Sequence, residues 1–439
     1  MKGRQELRYL KERQAERRQD TSAVVETVAE MLAAIEERGD DAVREYSRKL
    51  DGWDPPSFRV TDDEIRALGK SLSTTFIEDT LFAQNQVRNF ARMQRERLND
   101  FETETIPGVW LGQKTIPVGA AGCYVPGGRY PMVASAHMSI IPAKVAGVSR
   151  VAATTPPSGK EGPNPHMLYA MHHAGADELY SLGGVQALGA LAFGTESIQP
   201  VDMLVGPGNS YVAEAKRQLF GRVGIDLIAG PTEILVIADE SADPGIVAAD
   251  LLAQAEHGPG SPAILVTTSE EVGQAVLREI PRQLEDLETR DVAAVAWASR
   301  GEVVVVESDE EAVRVADSYA AEHVEVQTDN WEWYFERLRN YGSLFLGEMA
   351  TVAYGDKAIG TNHILPTMRN ARFTGGLWVG KFLKTCTYQR IDLEGTKVVG
   401  PVVSRQCAVE RFAGHRASVD RRLAKYGLAS GPADSTAAS

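Results

Sequence analysis

The chain has 439 residues, 43% hydrophobic and 24% charged, enough for more than one domain with sizeable buried cores. Its formal charge of -14 argues against nucleic acid and anionic membranes as partners, because phosphate binding needs a basic face. Cys123, Cys386 and Cys407 are far apart with no Cys-x-x-Cys, so neither a disulfide framework nor a thiolate zinc site is present; with no signal-peptide pattern and no membrane-length apolar run, a cytoplasmic location is expected.

Residues 1–20 alternate charges of both signs and read as a helical arm or a frayed end. Asp20, Thr21 and Ser22 are good caps, and Val24, Val28, Met31, Leu32 and Ile35 form the apolar stripe of a helix that Gly39 ends. Helical spacing continues over 61–98, so the first hundred residues are expected to be mainly α-helical. Strand-like runs at 118–124, 148–154, 178–182 and 202–205 then alternate with helical stretches at 135–146, 165–175 and 185–193. A second series follows, with strands at 225–228, 233–238, 263–267, 301–307 and 324–327 and helices at 270–287 and 309–320. This alternation predicts α/β architecture with parallel sheet, in two series that meet near Gly230-Pro231. After Thr367 the pattern turns helical again, and the small polar residues 429–439 read as disordered.

Ligands of α/β folds lie beyond the carboxyl ends of strands, and three glycine turns fall there. They are Gly122-Cys123-Tyr124-Val125-Pro126-Gly127-Gly128-Arg129, Gly183-Gly184-Val185-Gln186, and Gly206-Pro207-Gly208-Asn209-Ser210 ahead of a helix at 211–219. Glycine lets a backbone approach a phosphate, and a helix N-terminus attracts the anion. None is a G-x-G-x-x-G or P-loop fingerprint, and ordinary strand–helix turns explain them equally.

The remaining candidates are polar groups at element ends. A helix beginning near Asp243-Pro244 carries Gln254 and His257, three apart and so on one face. An amide oxygen and an imidazole can bind a divalent metal, or simply finish the helix by bonding to backbone. Glu322-His323 suits proton transfer, but on a strand the two would face opposite sides, so both work only at a loop or strand edge. Asp356 and His363 share the glycine-bounded loop 354–363, where the carboxylate completes a metal shell or forms a turn. Glu410 and His415 lie on the helical tail; His166, His172 and His173 read as packing or surface residues, and His137 is open.

Together VPGGR, GGVQA, VGPGN, AGPTE, LLAQAEHG, AEHVEV, YGDKAIGTNHILPT and the Glu410/His415 tail resemble the histidinol dehydrogenase family over roughly residues 20–427. The resemblance implies a homodimer built on two incomplete Rossmann-like domains with parallel sheets, and small helical terminal domains exchanged so that active sites are shared. The implied division is an arm over 1–20, a first domain of 21–120 and 231–370 carrying zinc and the catalytic residues, a second of 121–230 binding NAD, and a helical tail of 371–439 reaching the partner's site. One zinc per site would be held by Gln254, His257 and Asp356 with His415 of the other subunit. Glu322 and His323 match the family's acid/base pair, and Tyr124, Gln186 and Asn209 its NAD contacts. Substrate contacts fall at Thr232, His363 and Glu410, besides His323 and the zinc ligands.

The implied reaction oxidises a primary alcohol through an aldehyde to a carboxylate with two NAD. His323, with the near-neutral pKa expected of a base, takes the hydroxyl proton, and Glu322 assists water addition to the aldehyde. Thr232, where histidinol-oxidising enzymes usually have serine, and the stretches 221–226 and 352–357 resemble the branch that oxidises 2,3-dihydroxypropane-1-sulfonate (sulfopropanediol) to sulfolactate. His137 and the segment 367–372 also depart from the usual histidinol pattern; Arg369 or Arg372 would meet the sulfonate, or else lie in a solvated loop. Histidinol as substrate, and a non-catalytic binding protein on the same scaffold, are the alternatives.

Overall fold

The structure, a computed structural model, describes residues 7–14, 21–127, 131–159 and 162–428. The expected disorder of 429–439, and Gly128 and Arg129 of the first glycine turn, lie outside the described residues. Two compact units emerge: residues up to Arg95 with Val118–Phe382, and Glu96–Pro117 with Leu383 onward.

The strands among the described residues are β1 (Arg8–Lys11), β2 (Arg59–Val60), β3 (Phe101–Ile106), β4 (Val109–Pro117), β5 (Ala120–Tyr124), β6 (Arg150–Thr155), β7 (Glu178–Ser181), β8 (Met203–Val205), β9 (Gly224–Ile225), β10 (Ile234–Ala238), β11 (Ala263–Thr267), β12 (Gly301–Val305), β13 (His323–Gln327), β14 (Ser343–Leu346) and β15 (Leu383–Ile391). The first unit holds two six-stranded sheets, β2-β7-β6-β5-β8-β9 and β1-β12-β11-β10-β13-β14. In each, the first pair is antiparallel and the rest are parallel, so the expected α/β class is the observed one. β10 and β11 are buried along their whole length, the mark of strands covered on both faces. Ile234, Val236 and Ala238 pack with Leu251, Leu252 and Val276 on one face, while Leu235 and Ile237 pack with Val315, Val324 and Val326 on the other.

Three expectations change. Residues 8–11 form an edge strand against β12 (Arg8↔Val305), not part of a helical arm; Lys11 Nζ donates to Gly301 O at 2.6 Å, and this edge pairing overrides local propensity. The helix Ser22–Arg38 packs on the helices Gly184–Phe193 and Ser210–Leu219, and β2 pairs with β7. Residues 22–60 therefore belong to the β5 sheet rather than with 231–370: Val28, Met31, Leu32 and Ile35 share a core with Leu188 and Leu191. An apolar stripe announces that a helix needs a partner without naming it. Third, 96–117 and the tail make one antiparallel sheet, β15-β4-β3, in which Leu383 to Ile391 pair with Pro117 to Val109. The tail is thus a strand followed by the helices Leu393–Val409 and Ala413–Lys425. Among the described residues no helix is long and apolar enough to cross a membrane.

Candidate active site

The β5 sheet reverses its winding at β5: β6 and β7 follow on one side and β8 returns to the other. Such a switch point leaves a crevice beyond the strand ends where nucleotides bind. Tyr124 ends β5, and Gly206-Pro207-Gly208-Asn209 leads from β8 into the helix Ser210–Leu219. Gly206 has φ 118, and a Cβ there would lie 2.0 Å from Tyr124 O, so two backbone segments meet where no side chain fits. A buried ion pair braces the loop from behind. Asp226 accepts from Gly206 N at 2.8 Å and Leu227 N at 2.7 Å, while Lys216, in contact with Asp226, donates to Gly206 O at 2.9 Å. Asn209 Oδ1 caps the helix by accepting from Tyr211 N and Val212 N, which leaves its amide nitrogen for a ligand. Tyr124 Oη accepts from Gly184 N at 3.2 Å; Gln186 Nε2 donates to Asp51 Oδ2 at 2.8 Å, and Gln186 Oε1 is buried without a partner.

A cleft of about 460 Å³ runs from this loop to the second sheet. Pro207, Gly208 and Asn209 line one wall, and Thr232, His257, Glu322, His323, Asp356 and His363 the other. Tyr124, Gln186 and Gln254 lie outside this lining. The second wall forms where strands begin, not where they end: Thr232 precedes β10, His257 precedes β11, and His323 opens β13. Glu322 stands just before the strand, free of its alternation, which is how neighbouring residues reach one cleft.

A chain of hydrogen bonds crosses this wall. Gln254 Nε2 donates to Thr232 Oγ1 at 2.8 Å, and Thr232 Oγ1 donates to Glu322 Oε2 at 2.5 Å. Glu233 N donates to the same carboxylate oxygen at 3.1 Å. Burial pushes the Glu322 carboxyl well up, against the pull of these two donors. His323 Nδ1 lies 3.0 Å from Glu233 O and 3.6 Å from Glu322 Oε2. A carbonyl only accepts, so Nδ1 carries the hydrogen and Nε2 keeps its lone pair; Nε2 is buried without a partner. Burial, with the His363 ring 5.3 Å away, pushes His323 down to about 3, a correction to the near-neutral value expected from its role. Burial likewise pushes His363 down to about 4. A Cβ on Gly355 would lie 2.2 Å from His363 Nε2, which explains a glycine beside Asp356.

His257 and Asp356 face the same cleft, and the helix Pro244–Ala255 that positions Gln254 starts on an Asp243 cap. Burial lowers the His257 ring, with Asp356 opposing. Burial also works against ionisation of Asp356, but Lys357 and the two imidazoles outweigh it, and the carboxyl falls below its usual range. Asp356 already holds a cation, the Lys357 ammonium, on Oδ2. Because its amide nitrogen is engaged with Thr232, Gln254 has its oxygen left as a ligand atom. Imidazole nitrogen, carboxylate and amide oxygen suit a zinc ion with an open coordination position. Among the described residues no three His, Cys, Asp or Glu groups form a ready metal cage, as follows when one donor is an amide.

A family model described as histidinol dehydrogenase matches residues 14–423. The chain belongs to the histidinol dehydrogenase family. As a member it is an NAD-dependent enzyme of four-electron alcohol oxidation. It is 56% identical to a histidinol dehydrogenase homolog of Shouchella clausii, over 92% of this chain and 95% of the relative. It is 47% identical to the sulfopropanediol 3-dehydrogenase of Ruegeria pomeroyi, over 96% of this chain and 97% of that one. The crystal structure of histidinol dehydrogenase from Elizabethkingia anophelis matches it with a TM-score of 0.89 at 35% identity, covering 95% of each chain.

Glu410 and His415 belong to the second unit, exposed at the junction of its two helices, with the His415 ring 5.3 Å from that of Phe412. Arg369 and Arg372 are not part of the cleft lining. They sit on an exposed turn in which Arg372 Nε donates to the backbone oxygen of Arg369 at 3.0 Å. Met132, Ser135 and Met138 do line the cleft, and nothing in the sequence marks them. Their helix, Val133–Ala146, is apolar nearly all round and reads from sequence as plain core. His137 beside them is buried against Gln84, with Nδ1 and Gln84 Nε2 3.1 Å apart.

Proposed function

We propose that this family member is a zinc- and NAD-dependent dehydrogenase that oxidises 2,3-dihydroxypropane-1-sulfonate through the aldehyde to sulfolactate. The single observation that carries the chemistry is the Gln254–Thr232–Glu322 hydrogen-bond chain beside the unpartnered Nε2 of His323. Zinc on Gln254, His257, Asp356 and His415 of the partner subunit would polarise the substrate hydroxyl. NAD at Tyr124, Gln186 and Asn209 would accept the hydride of each oxidation.

His323 Nε2 takes the hydroxyl proton in this reading, with Glu322 Oε2 3.6 Å from Nδ1 beside the ring. Glu322, oriented by Thr232 and Glu233 N, receives a proton from the water that adds to the aldehyde. Thr232 and His363 contact the substrate from this wall, and Glu410 of the partner subunit from the other side. The protein acts as a homodimer, and its three free cysteines suit the cytoplasm.

Support for the substrate comes from identity, 47% to the sulfopropanediol enzyme against 39–41% to relatives named histidinol dehydrogenase, and from Thr232 in place of serine. One observation favours histidinol instead: among the described residues that line the cleft there is no Lys or Arg to meet a sulfonate. Zinc-loaded protein incubated with each alcohol and NAD separates the two. The proposal expects two NADH per sulfopropanediol, and turnover of histidinol alone would overturn the substrate. NAD binding without reduction by any small alcohol would instead favour a non-catalytic protein.

A further inference from the structure

Two elements of the active-site wall meet over a pair of carboxyls that the reaction does not use. Asp250 lies one turn before Gln254 on the helix Pro244–Ala255. Glu325 lies two residues after His323 on β13 and so leaves the sheet on the same face. One amide holds both: Gln327 Nε2 donates to Asp250 Oδ2 at 2.8 Å and to Glu325 Oε2 at 3.1 Å. Each acid turns its other oxygen to the start of the helix Val352–Lys357. Glu325 Oε1 accepts from Val352 N at 2.9 Å, and Asp250 Oδ1 from Thr351 Oγ1, the N-cap of that helix, at 3.0 Å.

Glu325 is fully buried, and among the described residues neither acid has an ion-pair partner. Burial pushes both carboxyls up. What the pair clamps is short. A six-residue helix has too few internal bonds to fix its own axis, yet Val352–Lys357 carries Asp356 and seats Gly355 on the His363 ring.

We propose that Asp250 and Glu325 are positioning residues, fastening the helix Val352–Lys357 to β13 and to the helix Pro244–Ala255 so that Asp356 stands in register with Gln254 and His257. This rests on the zinc reading of those three side chains. Without the clamp the short helix pivots about its start and Asp356, one turn along, leaves its place. Partners that orient metal ligands typically govern ~10–100-fold of metal affinity.

The test is zinc affinity of the full chain, by competition with a chromogenic chelator, together with the visible spectrum of the cobalt-substituted protein. Glu325→Leu keeps bulk and burial but loses both hydrogen bonds; Glu325→Gln keeps an oxygen for Val352 N and a polar group toward Asp250. The leucine variant is expected to bind zinc about 10–100-fold more weakly with an altered cobalt spectrum, and the glutamine variant to stay near wild type. Thr351→Val removes only the bond to Asp250 and the cap; it decides the matter if Glu325→Leu fails to fold, and is expected to fall between the other two. Wild-type affinity in Glu325→Leu or Thr351→Val overturns the proposal, as does a glutamine variant no better than leucine. A wild-type protein that binds no zinc, or binds it as well after His257→Ala, overturns the zinc reading instead.

Discussion

Thr232→Val probes the hydrogen-bond chain at its middle link. The substitution keeps the β-branched shape and deletes the hydroxyl that accepts from Gln254 Nε2 at 2.8 Å and donates to Glu322 Oε2 at 2.5 Å. Gln254 loses its acceptor, and Glu322 keeps only the bond from Glu233 N. A buried donor left unpaired costs about 1–3 kcal/mol; because Thr232 is half-buried and water reaches it, a loss of about 1–2 kcal/mol is expected. The loss has a pH signature. Glu322 binds its proton more tightly folded than unfolded, so its contribution to stability is present at low pH and declines as pH rises through the folded pKa. The Thr232 bond holds that pKa down, so deleting the hydroxyl raises it further and extends the decline to higher pH. Denaturant unfolding of wild type, Thr232→Val and Thr232→Ser across pH 4 to 9, a range of about 5 units spanning the ordinary carboxylate value, reads this directly. The valine deficit should grow with pH and serine should restore stability. Equal midpoints for all three proteins at every pH would refute the chain.

Glu322→Gln should still release the first hydride but fail to hydrate the aldehyde, so NADH per alcohol falls from two toward one and a hydrazine trap captures aldehyde; an unchanged ratio counts against the role given to Glu322. Lys216→Met strands the buried Asp226 charge behind the Gly206 loop, and should destabilise the fold by about 3–5 kcal/mol in urea unfolding and weaken NAD binding. Mixing inactive His415→Ala subunits with inactive His323→Ala subunits should recover about a quarter of wild-type activity, one site in each mixed dimer, whereas no recovery denies shared sites.

Much of the α/β frame is legible because its signals are local. Strands such as Ile234–Ala238 are wholly apolar, and Asp243-Pro244 starts the helix that ends near Gln254. What escapes is pairing across long sequence distance. Leu383–Ile391 carries strand-favouring residues such as Thr385, Thr387 and Tyr388 but no clean alternation; its β4 partner lies more than 260 residues earlier, and the neighbouring pattern is helical. The stripe of Ser22–Arg38 is equally clear, yet only packing shows that its partner is Leu188 and not Leu251. In the site, Glu322, His323, His257 and Asp356 are marked by residue type and by their place at element ends. The contact of Thr232 with both Gln254 and Glu322, and of Asp250 with Glu325 through Gln327, joins three elements and has no signature in any one of them. Nor does sequence report that His323 is buried deeply enough to stay neutral.

The most direct test of a divalent ion seated among Gln254, His257 and Asp356 is anomalous diffraction at the zinc edge from crystals of zinc-loaded protein. One strong peak is predicted in each cleft, within bonding distance of Gln254 Oε1, His257 and Asp356, with Lys357 displaced from the carboxylate. A peak elsewhere, or none in crystals of protein that is fully active, would contradict it.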